Sequence, residues 1–275
     1  MNVSELLPLL NRLGVKPSRK LGQNFLIDGN TLRVIVQAAA PAPERLVVEI
    51  GPGTGVLTRE LLAAGVQLVA IEFDARLADY LRTELVPQQP ALTLVQADAC
   101  RVDFDALTAG RSWDCIANLP YAVSTVILTR LLSAANRPRR LTILLQLEMA
   151  ERLAASANSK DYGALTVRTQ ALYDVHLVRR IHPTVFYPPP AIESALVTLS
   201  PTASFAPPAD WQSFNDFVRH AFTQRRKMLP KILRGVYPAD RIAAAFAELG
   251  FSLESRPDTL TVAQYLALHA HITAK

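Results

Sequence analysis

The chain has 275 residues, half of them hydrophobic and 19% charged, which gives enough apolar material for one large α/β domain plus a smaller one and excludes wholesale disorder. Its 29 Lys and Arg against 24 Asp and Glu leave a net charge of +5, so mild an excess that its placement matters more than its sum. No apolar run reaches the roughly 18 residues of a membrane span, Met1–Asn24 lacks the apolar core of a secretory signal, and Cys100 and Cys115 lack a metal-ligand spacing; a cytoplasmic protein with buried, reduced thiols is expected.

Short apolar runs alternate with helical patterns, as in βαβ units that build a mostly parallel sheet. Arg45–Ile50 reads as a first buried strand, followed at once by Gly51-Pro-Gly-Thr-Gly55 and a helix that Gly65 stops. Gln67–Ile71 is a second strand ending at Glu72, with a helix over 75–85 behind it. Leu92–Gln96 is a third, ending at Asp98; Trp113–Ala117 a fourth, ending at Asn118; Leu141–Gln146 a fifth. Tyr173–Ile181 and Ser194–Ser200 read as two more strands, joined by the Pro-rich segment His182–Pro190. So short a connection predicts an antiparallel hairpin at one edge of the sheet.

Residues 201–208, rich in Pro, Ala and Ser, read as a linker, and everything beyond reads as helical. Trp211, Phe214, Phe217, Val218, Ala221 and Phe222 recur at helix spacing, and Thr261 with Gln264 fits a capping box opening the last helix. The expected division is a domain over 1–203, including a basic N-terminal segment over 1–27, and a small all-α domain over 204–275.

Gly51, Gly53 and Gly55 follow a strand and open a helix, where backbone approaches a ligand closely and turns sharply. A tight turn without a ligand is the alternative. Glu72 stands where a carboxylate accepts both hydroxyls of a ribose, and Asp98 where one accepts from an adenine amino group. Each taken alone fits a helix cap or a solvated strand end equally well. Together they line the carboxyl edge of one sheet, and with no lysine in the glycine loop they suit a nucleoside better than a pyrophosphate.

Asn118-Leu-Pro-Tyr121 follows the fourth strand directly. An exocyclic adenine amine is a poor nucleophile because its lone pair is delocalised into the ring. Two acceptors that take its protons, the Asn118 side-chain oxygen and the Leu119 carbonyl, pull the nitrogen toward tetrahedral geometry and aim the lone pair at a methyl donor. Pro120 stiffens that backbone, and Tyr121 offers a ring for stacking. No general base is needed, since the product ammonium loses its proton to water; the gain is orientation.

These residues resemble the ribosomal RNA adenine dimethyltransferase family, in particular the branch acting on small-subunit (16S) RNA. The resemblance runs from Gly22-Gln-Asn-Phe-Leu26 through Val47-Val-Glu-Ile-Gly-Pro-Gly-Thr-Gly55, Asn118-Leu-Pro-Tyr121, Asn158-Ser-Lys160 and Phe186-Tyr-Pro-Pro-Pro190 to Gln224-Arg-Arg-Lys227. It implies an α/β fold with a Rossmann-like class I methyltransferase sheet, S-adenosylmethionine as cofactor, and two adjacent adenines as targets. Asn24, Leu26, Gly51, Gly53, Gly55, Glu72, Asp98 and Asn118 would hold the cofactor. Tyr121 and Phe186 would sandwich the flipped base, with a core position as the alternative for Phe186. The chain departs from the family at Ala122, Val123 and Leu147, and Pro230 is expected to break a helix running past Lys227.

No acid interrupts residues 217–239, which carry Arg219, Arg225, Arg226, Lys227, Lys231 and Arg234; none interrupts 6–27, with Arg12, Lys16, Arg19 and Lys20. Such runs are often solvated faces, but in a chain that modifies RNA they read as phosphate contacts. The expected partners are small-subunit ribosomal RNA and the pre-assembled small subunit, met by a monomer without metal. A large-subunit adenine methyltransferase, an assembly or transcription factor that keeps the fold without needing catalysis, and, more distantly, a DNA adenine methyltransferase are the rival readings.

Overall fold

Residues 1–18, 22–202 and 210–274 are described by the computed structural model. They begin with helix α1 (Val3–Arg12), the short strand β1 (Phe25–Leu26) and α2 (Gly29–Ala39). Strands and helices then alternate: β2 (Leu46–Ile50), α3 (Val56–Ala63), β3 (Gln67–Glu72), α4 (Ala75–Glu84), β4 (Leu92–Gln96), α5 (Phe104–Thr108), β5 (Trp113–Asn118), α6 (Ser124–Ser133) and β6 (Arg140–Gln146). Next come α7 (Leu147–Leu153), α8 (Ala164–Gln170), β7 (Tyr173–Ile181), β8 (Phe186–Tyr187) and β9 (Ser194–Pro201). The remainder is helical: α9 (Trp211–Ala221), α10 (Leu229–Leu233), α11 (Ala239–Glu248) and α12 (Val262–Thr273). By contact density the chain forms two units, Met1–Ala150 with His176–Ser200, and Glu151–Val175 with Pro201–Lys275. The linker read over 201–208, with the boundary at 203, lies largely outside the described residues.

Local chemistry sets the helix ends. Asp28, Asp74, Asp103 and Asp210 each accept main-chain N–H groups at the start of α2, α4, α5 and α9, satisfying donors that have no partner within the helix. Gly65, at a φ of +80°, ends α3 as expected.

Seven strands form one sheet in the order β4-β3-β2-β5-β6-β9-β7. The first five pair in parallel. β9 runs antiparallel to β6, in register from Leu141↔Leu199 to Gln146↔Ser194, and β7 lies beyond it at the edge, so the last two strands are neighbours as expected. β2 is buried along its whole length because it has a strand on each side and helices packed over the sheet, which is why Leu46-Val-Val-Glu-Ile50 is apolar at every position but one. From β2 the chain steps outward to β3 and β4, then returns to β5 on the other side. That reversal opens a crevice at the carboxyl ends of β2 and β5.

A second, two-stranded sheet pairs β1 with β8 antiparallel, Phe25↔Tyr187 and Leu26↔Phe186. α1 joins the first unit through Leu6 and Leu10, which pack with Val15, Phe25 and Leu77.

In the second unit α9 buries Trp211, Phe214, Phe217, Val218 and Ala221 of the periodic set read from the sequence, while Phe222 follows the helix and is half-buried. Phe217 meets Tyr265 edge-on with ring centres 6.2 Å apart, and Phe214 meets His269 likewise at 5.4 Å. Thr261 and Gln264 form the expected reciprocal cap of α12. The break expected at Pro230 is corrected: α9 already ends at Ala221, and Pro230 lies in the first turn of α10, where a missing N–H costs nothing. Among the described residues no helix is long and apolar enough to cross a membrane.

Candidate active site

Two hollows of about 100 and 280 Å³ lie over the carboxyl ends of the strands, and Gln23, Gly51, Glu72 and Pro120 line both. Asn24, Leu26, Glu49, Gly53 and Asn118 line the first; Phe73, Asp98, Ala99, Cys100, Val123 and Ile127 line the second. The ends of β2, β3, β4 and β5 therefore meet at one cleft.

Glycine loop geometry divides its three members. Gly51 holds a φ of +74° at the end of β2, a conformation that side chains disfavour. Gly53 (φ +58°) lies against Phe25, whose ring would be 3.3 Å from an added Cβ, and its N–H donates to Glu72 Oε2 at 3.0 Å. Gly55 lines neither hollow. An added Cβ there would stand 2.9 Å from Leu81 Cδ2, so Gly55 lets α3 pack against α4.

Glu72 is 6% exposed. Its two oxygens accept from the N–H groups of Gly53 and Asp74, the latter at 2.8 Å. Burial pushes its pKa up, while the main-chain bonds to Asp74, Gly53 and Phe73 oppose that rise. The carboxylate, with about four acceptor sites in all, still has capacity for a ligand hydroxyl. Asp98 accepts from the Cys100 N–H at 2.9 Å, which fixes its carboxylate at the wall of the second hollow.

The Asn118 amide is oriented by the scaffold. Its Nδ2 donates to the Asn24 carbonyl at 3.0 Å, and among the described residues no donor reaches its Oδ1 or the Leu119 carbonyl. The loop that follows is covered by Gly22, at a φ of +63°, where a Cβ would meet the Tyr121 nitrogen at 3.0 Å. The Tyr121 hydroxyl is hydrogen-bonded to Ser194 Oγ, and its pKa is raised by burial against that bond's opposing pull. Tyr121 is half-buried and lines neither hollow.

Phe186 takes the core position that was the alternative for it. It is 1% exposed and packs in the core with Leu26, Leu32 and Ile35, because β8 pairs with β1 and turns the ring inward. No face of it is open to a base. Cys100 also departs from expectation: Cys115 is buried, with its pKa pushed up to about 12 by desolvation, but Cys100 is half-buried at the second hollow.

Sequence reasoning missed Glu49, Phe73 and Gln23. Glu49 is 1% exposed, accepts from Thr58 Oγ1 at 2.7 Å, and burial pushes its pKa up to about 8, with the nearby Glu72 adding to the rise. A lone carboxylate within an apolar strand was the available signal. Phe73 is 59% exposed beside Glu72 at the second hollow, and its place directly after a strand-end acid was the clue.

The basic residues lie in both units. Lys16 is exposed, while Arg19 and Lys20 lie outside the described residues. Arg226, Lys227, Lys231 and Arg234 are exposed, and Arg219 is exposed beside Asp216 at 3.6 Å. Arg225 is half-buried and turned toward its own unit.

The ribosomal RNA adenine dimethylase family matches residues 14–274 of this chain. The chain is 38% identical over 266 residues to the ribosomal RNA small subunit methyltransferase A of Clostridium perfringens, covering 94% of this chain and 92% of that one. It is 39% identical to the protein of that name from Sphingopyxis alaskensis, covering 93% and 94%. Among solved structures, a dimethyladenosine transferase from Plasmodium falciparum superposes with a TM-score of 0.77 at 24% identity, covering 89% and 95%, which shows the fold. The 23S rRNA methyltransferase ErmE superposes with a TM-score of 0.69 at 28% identity, covering 91% and 100%.

Proposed function

Since this chain belongs to the ribosomal RNA adenine dimethylase family, we propose that it transfers methyl groups from S-adenosylmethionine to N6 of two adjacent adenines of small-subunit (16S) ribosomal RNA, giving dimethyladenosine. One observation carries the chemistry. The Asn118 amide spends its N–H on the Asn24 carbonyl and keeps its oxygen for a substrate at the cleft.

The cleft residues fit a nucleoside with an amino-acid tail. Glu72 takes the ribose hydroxyls, Asp98 the adenine amino group, and Phe73 offers that adenine a face. Gly51, Gly53, Asn24 and Leu26 surround the tail in the narrower hollow. Bound there, S-adenosylmethionine supplies an electrophilic methyl group on a sulfonium.

The protein's share is placement. The target base is extracted from any stack, and its amine donates to Asn118 Oδ1 and to the Leu119 carbonyl, which Pro120 holds in place. The nitrogen lone pair then points at the methyl group, and orientation of two held reactants supplies the acceleration. After one transfer the nitrogen retains a single N–H, so the second transfer uses one acceptor. Protons leave to water. The substrate we assign is the assembled small subunit in the cytoplasm, bound by a monomer.

The test is transfer of labelled methyl to purified, unmethylated small subunits, with nucleoside analysis for dimethyladenosine. Asn118→Ala should lower transfer by roughly 10²–10³-fold, the size of effect seen when one positioned polar group is removed, and leave subunit binding nearly intact. Normal turnover by that variant would refute the mechanism. The likeness to ErmE supports a second reading, action on large-subunit RNA; with unmethylated large-subunit RNA offered alongside the small subunits, label appearing only in the large-subunit RNA would select it.

A further inference from the structure

The Asn158-Ser-Lys160 loop has no part in the cleft, yet the second unit holds it from two sides. Asn158 turns the chain at a φ of +68°, and its N–H donates to the Asp258 carbonyl at 2.7 Å. Arg225 reaches the same loop. Its Nη1 donates to the Lys160 carbonyl, and its Nη2 donates to the Ser159 carbonyl at 2.7 Å and lies 3.4 Å from Asp258 Oδ2. Two carbonyls and a carboxylate from two separate segments thus occupy the guanidinium fork, leaving few donors for a phosphate. Lys160 is the reverse case. Only its carbonyl is used; its side chain is exposed, and no carboxylate pairs with it among the described residues. Beside it is a hollow of about 330 Å³ lined by Arg152, Lys160 and Arg225 against one carboxylate, Asp161, with Tyr162 and Phe222 in the wall.

We propose that this loop belongs to the RNA-contact surface of the second unit, with Lys160 as a backbone-phosphate contact and Arg225 as the positioning residue that presents it. The proposal rests on the ribosomal RNA reading above. A lysine on a loose loop loses much of its electrostatic gain to the entropy of ordering; fixing the loop beforehand removes that cost. Two contacts from Arg225 and one from Asn158 do so here, with Asp258 bracing the guanidinium, which assigns Arg225 a different task from Arg226 and Lys227, its exposed neighbours.

A double-variant cycle tests this. The full chain, carrying a fluorescent tag, is titrated with purified unmethylated small subunits over a series of salt concentrations. K160Q should weaken binding by about 3- to 10-fold and reduce the salt slope by about one phosphate contact. R225Q should do the same indirectly, because Lys160 is no longer presented. The double variant should then bind no worse than either single one. K160R should retain binding, and R225K, which keeps the charge but cannot bridge three acceptors, should not. Hydrogen exchange at residues 158–160 should rise in R225Q and R225K and stay unchanged in K160Q.

If the two losses multiply and the slope falls by two, Arg225 itself touches phosphate and its assignment fails. Wild-type affinity and slope in K160Q, an exposed site where folding is not at stake, would remove Lys160 from the surface. A wild-type chain that does not bind small subunits would strike the ribosomal RNA reading itself.

Discussion

Asn118 spends the Nδ2 end of its amide on a carbonyl from β1's approach segment, and Oδ1, which no donor reaches among the described residues, is the end that the proposed mechanism gives to the substrate. Glu49 and Glu72 show the other use of burial, two carboxylates lining one hollow with few charges to balance them. Glu49 has the clearer consequence. Its folded pKa, about 8, lies far above the ordinary 4.5, so the folded state holds a proton that the unfolded chain gives up. The stability this lends is fully present below pH 4.5 and is lost as pH rises through about 8. Thermal melts should therefore show stability falling across that window, and Glu49→Gln should flatten the fall and raise Tm at the alkaline end. An unchanged slope in the variant would show that Glu49 is ionised in the native protein.

Elements constrain what the glycine loop tolerates. Gly55→Ala meets two penalties, a φ of +77° and a Cβ 2.9 Å from Leu81, so it should destabilise the first unit by about 1–3 kcal/mol by moving α3 off α4. Because Gly55 lines neither hollow, the folded fraction should keep its affinity for S-adenosylmethionine, measured by calorimetry. A large loss of affinity at full stability would return Gly55 to the binding loop. The same scale explains two points that the sequence left undecided or placed elsewhere. Phe186 follows a Pro-containing turn and has no periodic context, so only the pairing of β8 with β1 decides that its ring faces the core. The stretch after α9 has helical composition throughout, yet the chain leaves the helix at Ala221 and Arg225 turns back to the Ser159 carbonyl.

At the scale of the whole molecule, the proposed role of Glu72 would link ligand and fold. S-Adenosylmethionine at a hundredfold excess over its Kd should stabilise the protein by about 2.7 kcal/mol, seen as a rise in Tm. Glu72→Ala should remove most of that rise, and it should also lower the ligand-free Tm, since the Gly53 and Asp74 N–H groups lose their acceptor. A full ligand shift in Glu72→Ala would mean that the ribose is held elsewhere.

Most of the sheet and the order of its chemistry were legible in the sequence, because both depend on local rules. Apolar runs and turn residues repeat over a few positions, and ligands of such sheets gather at strand ends, so Gly51, Glu72, Asp98 and Asn118 could be placed on one edge before any contact was known. What each side chain does with its polar atoms was not legible. Asn118 meets a carbonyl 94 residues earlier in the chain, Arg225 meets one 66 residues earlier, and Tyr121 meets Ser194, 73 residues later. Periodicity carries no information at such separations. Only the folded backbone brings those groups together, and it decides which residue faces a ligand, which is spent on the scaffold and which is sealed in the core.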